Sequence, residues 1–270
     1  MQTPSLSRLT VLAAAVTTAA VSVLAIATPA YASTVHYVAL GDSYSSGLGA
    51  GNYISSSGSC DRSANAYSVL WDQANSPASY ASVACAGATT SSVVSSQVSA
   101  LSSATTLVSI TVGGNDVGFS SVMETCVLSL TSTCVSAINT AEAKMSSTLP
   151  GELDNALSAI KSAAPTARVV VLDYPELYDL SKSSTCIGLS TTDRTDLNKG
   201  ADELDAQIQA AAARHGDVFA DVRSAFSGHE ICDSGSWLNS VDIFSISSSY
   251  HPTSAGQADA YYPVFTANAG

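Results

Sequence analysis

The sequence predicts an α/β fold, a flavodoxin-like parallel sheet covered on both faces by helices. Short apolar runs alternate with longer runs of helical spacing, the pattern of strand–helix–strand units. The apolar runs read as strands buried on both faces rather than half exposed. The first and third runs both end in polar, glycine-marked turns, Gly41-Asp42-Ser43 and Gly113-Gly114-Asn115-Asp116. In a 2-1-3-4-5 strand order those two turns converge on the crevice where such sheets bind ligands.

The strand runs, in order, are HYVALG at 36–41, a weaker YASVAC at 80–85, TLVSITVGG at 106–114, RVVVLDY at 168–174 and DVFADV at 217–222. Helical spacing fills the gaps at 64–73, 90–101, 135–164, 193–215 and 254–262. The stretch 223–250 is expected to be irregular and held by a disulfide.

Residues 1–32 carry one cation, Arg8, then an apolar centre and Ala30-Tyr31-Ala32 before Ser33, the pattern of a cleaved secretory signal. Residues 33–270 are then expected to form one domain, since there is neither a proline-rich linker nor a fixed-period repeat. The chain has 10 Lys+Arg against 22 Asp+Glu and a net charge of −12, and loss of Arg8 makes the remainder one unit more negative. That balance excludes nucleic acid as a partner. No stable membrane anchor is expected, and the protein is expected to be a secreted, extracellular monomer.

Six cysteines, Cys60, Cys85, Cys126, Cys134, Cys186 and Cys232, form an even set in an exported chain and imply three disulfides. Sequence alone leaves their pairing open. A metal is not expected, because no CxxC or HExxH pattern occurs and the four histidines are scattered.

The stretch ALGDSYSSGLGAG, 39–51, passes from apolar residues to a carboxylate and several hydroxyls. Its glycines do not match a dinucleotide fingerprint, and neither a Walker lysine nor a G-x-S-x-G elbow is present. What remains is Ser43, just past a strand and at the start of a helix, where its backbone N–H is free to donate. Tyr44, Ser45 and Ser46 are expected to begin that helix and dress its rim. A serine nucleophile needs a base. His36 lies in the first strand, His215 ends a helix before Gly216, and His229 sits in a loop beside Cys232. His251 stands on a loop before Pro252 and a Thr-Ser cap, the position best placed to reach a crevice. Donors for a developing oxyanion are available from the Ser43 N–H, the Gly87 N–H and the Asn115 amide. Asp42 is expected to hold the loop, and Asp116 to cap a helix.

Taken in order, GDSYSSG, the glycine of CAGATT, GGND and YHP resemble the successive blocks of the SGNH (GDSL) hydrolases. The cysteine placement with GHEIC is similar to that of the family's secreted streptomycete lipases and esterases. The resemblance implies a three-layer α/β/α sandwich and ester hydrolysis through an acyl-enzyme, with no cofactor. It implies Ser43 as nucleophile, His251 as base, and Ser43, Gly87 and Asn115 as oxyanion donors. It also implies the pairs Cys60–Cys85, Cys126–Cys134 and Cys186–Cys232.

The expected substrate is an acyl ester, from a lipid, a phospholipid or a small ester. A carbohydrate acetylesterase of the same fold is the alternative within enzymes, and a catalytically silent secreted binding protein the alternative outside them. One departure from the family is Ser248, where the broad family often has Asp three residues before the His. The carbonyl of Ser248 is therefore expected to orient His251 in a Ser-His dyad, with Asp242 as the nearby carboxylate that could substitute. Walls for the acyl group are expected from the loops 52–59, 119–133 and 237–244, with Trp237, Leu238, Ile243 and Phe244 packing near the last disulfide or lining the groove.

Overall fold

A computed structural model of the chain describes Met1 and residues 33–182, 186–242 and 246–270. The leader reading, on residues 1–32, and the positions Ile243 and Phe244 lie outside the described residues. Ser33–Gly270 forms one compact unit.

Five strands, β1 (His36–Ala39), β2 (Ser79–Ser82), β3 (Leu107–Ile110), β4 (Arg168–Leu172) and β5 (Val218–Ala220), make one sheet in the order β2-β1-β3-β4-β5. Every pairing is parallel, with Val38 beside Val108, Val108 beside Val169 and Val170 beside Val218. The central strands are buried on both faces because helices cover both. Val108, Val169, Val170, Val171 and Leu172 are all buried, and each such side chain is worth roughly 1.5–3 kcal/mol of transfer free energy.

The helices are α1 (Ser43–Ser46), α2 (Tyr67–Asn75), α3 (Thr90–Ser92), α4 (Gly114–Val117), α5 (Phe119–Leu128), α6 (Thr131–Ser147), α7 (Leu149–Ala163), α8 (Thr191–His215), α9 (Arg223–Phe226) and α10 (Tyr262–Ala269). α2 and α10 pack together on one side, where Tyr37 of β1 meets Trp71 and Phe265 with ring centroids 5.2 and 5.3 Å apart. α6, α7 and α8 pack on one another on the other side. The result is a three-layer sandwich.

The helix α9 lies in the stretch expected to be irregular, the last helix runs on to Ala269, and two further differences bear on the cleft. The run expected as one helix over 135–164 is two, α6 and α7, broken at Thr148-Leu149-Pro150; Pro150 sits in the first turn of α7, where its missing N–H costs nothing. The segment expected as a loop over 119–133 is mostly the helix α5. Three disulfides join Cys60 to Cys85, Cys126 to Cys134 and Cys186 to Cys232. Among the described residues, no helix is long and apolar enough to cross a membrane.

Candidate active site

The turn after β1 is built for close approach. Gly41 has φ +118°, and a methyl group there would run into the backbone of Thr111 on the neighbouring chain end. Its N–H donates to Gln97 Oε1 at 2.7 Å and its carbonyl accepts from Gln97 Nε2 at 2.8 Å, so the strand end is fixed. α1 then starts with Asp42 as its N-cap, the carboxylate accepting from the Tyr44 N–H at 3.0 Å. Asp42 also accepts from the Thr111 hydroxyl at 2.7 Å and from the Tyr174 phenol. Burial pushes its carboxyl up to about 6, against the pull of those three donors.

Ser45 and Ser46 begin the helix but do not line its rim; they are fully buried. Ser45 Oγ lies 2.8 Å from Thr111 Oγ1 and 3.1 Å from the Tyr67 hydroxyl, and Ser46 donates back to the Ser43 carbonyl at 3.1 Å. Tyr44 is buried too, and its hydroxyl donates to the Tyr250 carbonyl at 2.6 Å. That bond ties the helix carrying Ser43 to the loop carrying His251.

His251 comes from the opposite end of the chain. Gly49 lets the two ends meet, since a side chain at its φ of +91° would strike His251, Asn239 and the Pro252 carbonyl. His251 Nε2 lies 2.7 Å from Ser43 Oγ, and Nδ1 lies 2.9 Å from the Ser249 carbonyl. A carbonyl can only accept, so Nδ1 carries the proton and the Nε2 lone pair faces the serine hydroxyl. Burial holds the imidazole well below its ordinary range, at about 4, while the carbonyls of Ser249 and Ser248 pull the other way.

The 2.9 Å contact to Nδ1 comes from the Ser249 carbonyl, while the Ser248 carbonyl, expected to orient the ring, acts on the imidazole beside it. Ser248 accepts the His251 backbone N–H at 3.3 Å. Tyr250, in the left-handed region at φ +64°, turns the chain so that the Ser249 carbonyl meets the ring. Asp242 is exposed, and its backbone N–H donates to Ser249 Oγ at 2.9 Å.

The Asn115 amide donates one N–H to the Ala88 carbonyl at 3.0 Å, which leaves its second N–H to the cleft it lines with Ser43 and His251. The N–H groups of Ser43 and Gly87 meet no acceptor among the described residues. Gly87 does not form the cleft wall itself; it stands one residue from Ala88, in an exposed left-handed turn tied by Cys60–Cys85. Asp116 is a cap, but of a different helix from its own: it accepts from the N–H and hydroxyl of Thr90 in α3.

The remaining histidines are elsewhere. His36 bonds Ser79 Oγ at 2.8 Å across β1 and β2. His215 pairs with Asp154 of α7 at 3.1 Å rather than with the carbonyls ending its helix. His229 stacks on Trp237 with centroids 3.6 Å apart, and Trp237 also meets Phe226, so this tryptophan and the buried Leu238 serve packing. The cleft beside Ser43 runs between helices, along Phe119 and Val122 of α5, Ile138 and Met145 of α6, and Leu197 and Leu204 of α8. Tyr174, Thr111 and the Tyr44–Tyr250 link are absent from the sequence reading, since no local pattern marks a partner from a distant strand end.

Residues 39–258 match the model of the GDSL-like Lipase/Acylhydrolase family. Lipase 1 of Streptomyces coelicolor is 55% identical over 228 residues, covering 84% of each chain. The crystal structure of phospholipase A1 from Streptomyces albidoflavus NA297 superposes with a TM-score of 0.84 at 52% identity, covering 86% of this chain and 98% of that one. The extracellular lipase of Streptomyces rimosus gives the same TM-score of 0.84 at 46% identity, over 87% and 99%.

Proposed function

The chain belongs to the GDSL-like lipase/acylhydrolase family and is a carboxylic ester hydrolase, and we propose that it works through a Ser43–His251 dyad on acyl esters of lipids. The observation that carries this reading is the 2.7 Å contact between Ser43 Oγ and His251 Nε2, with Nδ1 held by a main-chain carbonyl.

The chemistry follows from that geometry. Ser43 Oγ attacks the ester carbonyl carbon as Nε2 takes the hydroxyl proton. The negative charge that forms on the carbonyl oxygen is met by the Ser43 N–H and the second N–H of Asn115, with the Gly87 N–H, outside the cleft wall, as the third donor the family resemblance implies. The ester C–O bond then breaks, and the imidazolium gives its proton to the departing alcohol. Water, deprotonated by the same nitrogen, attacks the acyl-serine, the bond to Ser43 Oγ breaks as the imidazolium returns the proton to that oxygen, and the acid leaves. A carbonyl on Nδ1 fixes the tautomer but offsets the imidazolium charge less than a carboxylate does.

The apolar walls from Phe119 to Leu204 suit an acyl chain rather than an acetylated sugar, and a phospholipase A1 among the similar structures supports phospholipid as one substrate. Residues 1–32 act as a cleaved secretory leader, and the mature enzyme is extracellular. Turnover of a soluble ester tests the dyad. Ser43→Ala and His251→Ala each lower kcat by about 10⁴-fold or more with the fold intact; retained activity in either variant would overturn it.

A further inference from the structure

We infer that the turn joining α5 to α6, together with the segment before α8, is a docking surface for an electrically neutral or zwitterionic lipid surface. This inference rests on the acyl-ester reading above and names how that site meets its substrate. Leu128, Leu130 and Ile187 are 72%, 79% and 99% exposed, more than any other large apolar side chain described within 33–270. They are neighbours in space. Thr131, next to Leu130, places its hydroxyl 3.1 Å from Ser190 Oγ and 3.1 Å from Asp193 Oδ2, and Ile187 lies three residues before Ser190.

The surface is braced. Cys126–Cys134 clasps the turn that carries Leu128 and Leu130, and Cys186–Cys232 fixes the residue before Ile187. Apolar side chains held this way lose little further freedom on binding. The surface also continues into the cleft. α6 and α8 both begin at this patch, and Ile138 and Leu197, which line the cleft, lie seven and six residues beyond the first residue of each helix, about 10 and 9 Å along it. An acyl chain leaving a lipid surface at the patch therefore meets apolar side chains on its way towards Ser43.

Charge selects the kind of surface. The cations on the flanking segments are committed: Lys182 pairs with Asp179 and Asp233 at 3.3 and 3.0 Å, and Arg194 is buried and donates to the Cys186 carbonyl. Glu124 of α5 is exposed, and the chain as a whole carries −12. An anionic membrane is repelled by such a face, whereas phosphatidylcholine or neutral glyceride is not.

The test uses the full mature chain with Ser43→Ala, which leaves vesicles unhydrolysed, sedimented with sucrose-loaded phosphatidylcholine vesicles. Adding Leu128→Ser, Leu130→Ser and Ile187→Ser is expected to lower partitioning by about tenfold or more. Phosphatidylglycerol vesicles are expected to bind the parent more weakly at low salt. In the active enzyme the three substitutions lower hydrolysis of vesicle phosphatidylcholine about tenfold, while kcat/KM on a dissolved short-chain ester stays within about twofold. Equal partitioning of parent and variant overturns the inference. So does stronger binding to the anionic vesicles, or a parent dimer in dilute buffer that the substitutions convert to monomer, which would make the patch a self-interface. Loss of soluble-ester turnover in the parent itself would count against the dyad instead, and the sedimentation result would still judge the surface.

Discussion

The phenol of Tyr174, just past β4, donates to the buried carboxylate of Asp42, the N-cap of the helix that carries Ser43. Tyr174 also accepts from the Gly114 N–H at 3.3 Å and donates its own N–H to Asp205 at 3.1 Å, so one side chain joins three strand ends under the nucleophile. Tyr174→Phe leaves one oxygen of a buried carboxylate without its donor, which costs about 1–3 kcal/mol of stability. Thermal unfolding shows that loss, and kcat/KM falls about tenfold as α1 loosens. An unchanged melting temperature with unchanged turnover would contradict the role.

The proposed dyad gives Asp242 no role as the third member of a triad. Asp242 is exposed, and the Nδ1 of His251 already meets the Ser249 carbonyl at 2.9 Å. Asp242→Asn keeps ester turnover within about threefold of the parent. A loss of several orders of magnitude would show that a carboxylate orients the imidazole after all.

The proposed oxyanion role of Asn115 is a transition-state effect. Its amide is held by the Ala88 carbonyl and lines the cleft, so Asn115→Ala removes the proposed donor. Measured on a soluble ester, kcat falls about 10²–10³-fold, with a smaller change in KM. A rise in KM alone, with kcat preserved, would place Asn115 in ground-state binding.

Much of this site was legible in the sequence because its parts are local. The buried central strands are continuous apolar runs, since both faces are covered, and the glycine-marked turns that follow β1 and β3 give away the crevice. Ser43, Asn115 and His251 stand out because each interrupts such a run or precedes a helix cap. The choice between the Ser248 and Ser249 carbonyls was not legible, because it depends on a left-handed Tyr250, a conformation with no glycine to announce it. Nor were the walls of the cleft. Residues 119–128 contain enough Ser and Thr to read as a loop, and they are helical because Met123 and Cys126 pack into the core, a tertiary gain that outweighs weak local propensity. The helix break at Pro150 could have been found from the proline alone.

Protonation of His251 has a definite sign. Burial lowers its folded pKa from the ordinary 6.5 to about 4, so the unfolded state binds more protons between those values. The stability His251 contributes is present above pH 6.5 and is lost as pH falls towards 4. Asp42, raised to about 6 by burial, works in the opposite sense, because its ionised form is penalised in the folded state. NMR titration of the imidazole resonances is expected to give half-protonation of His251 well below 6.5. A midpoint at or above 6.5 would contradict the buried, carbonyl-held ring.

The most direct measurement of the central claim is mass-spectrometric mapping of a serine-reactive phosphonate ester on the folded enzyme. The dyad predicts one adduct, on the peptide containing Ser43, formed far more slowly in His251→Ala. Labelling of another serine, or a Ser43 that stays unmodified while ester turnover proceeds, would contradict it.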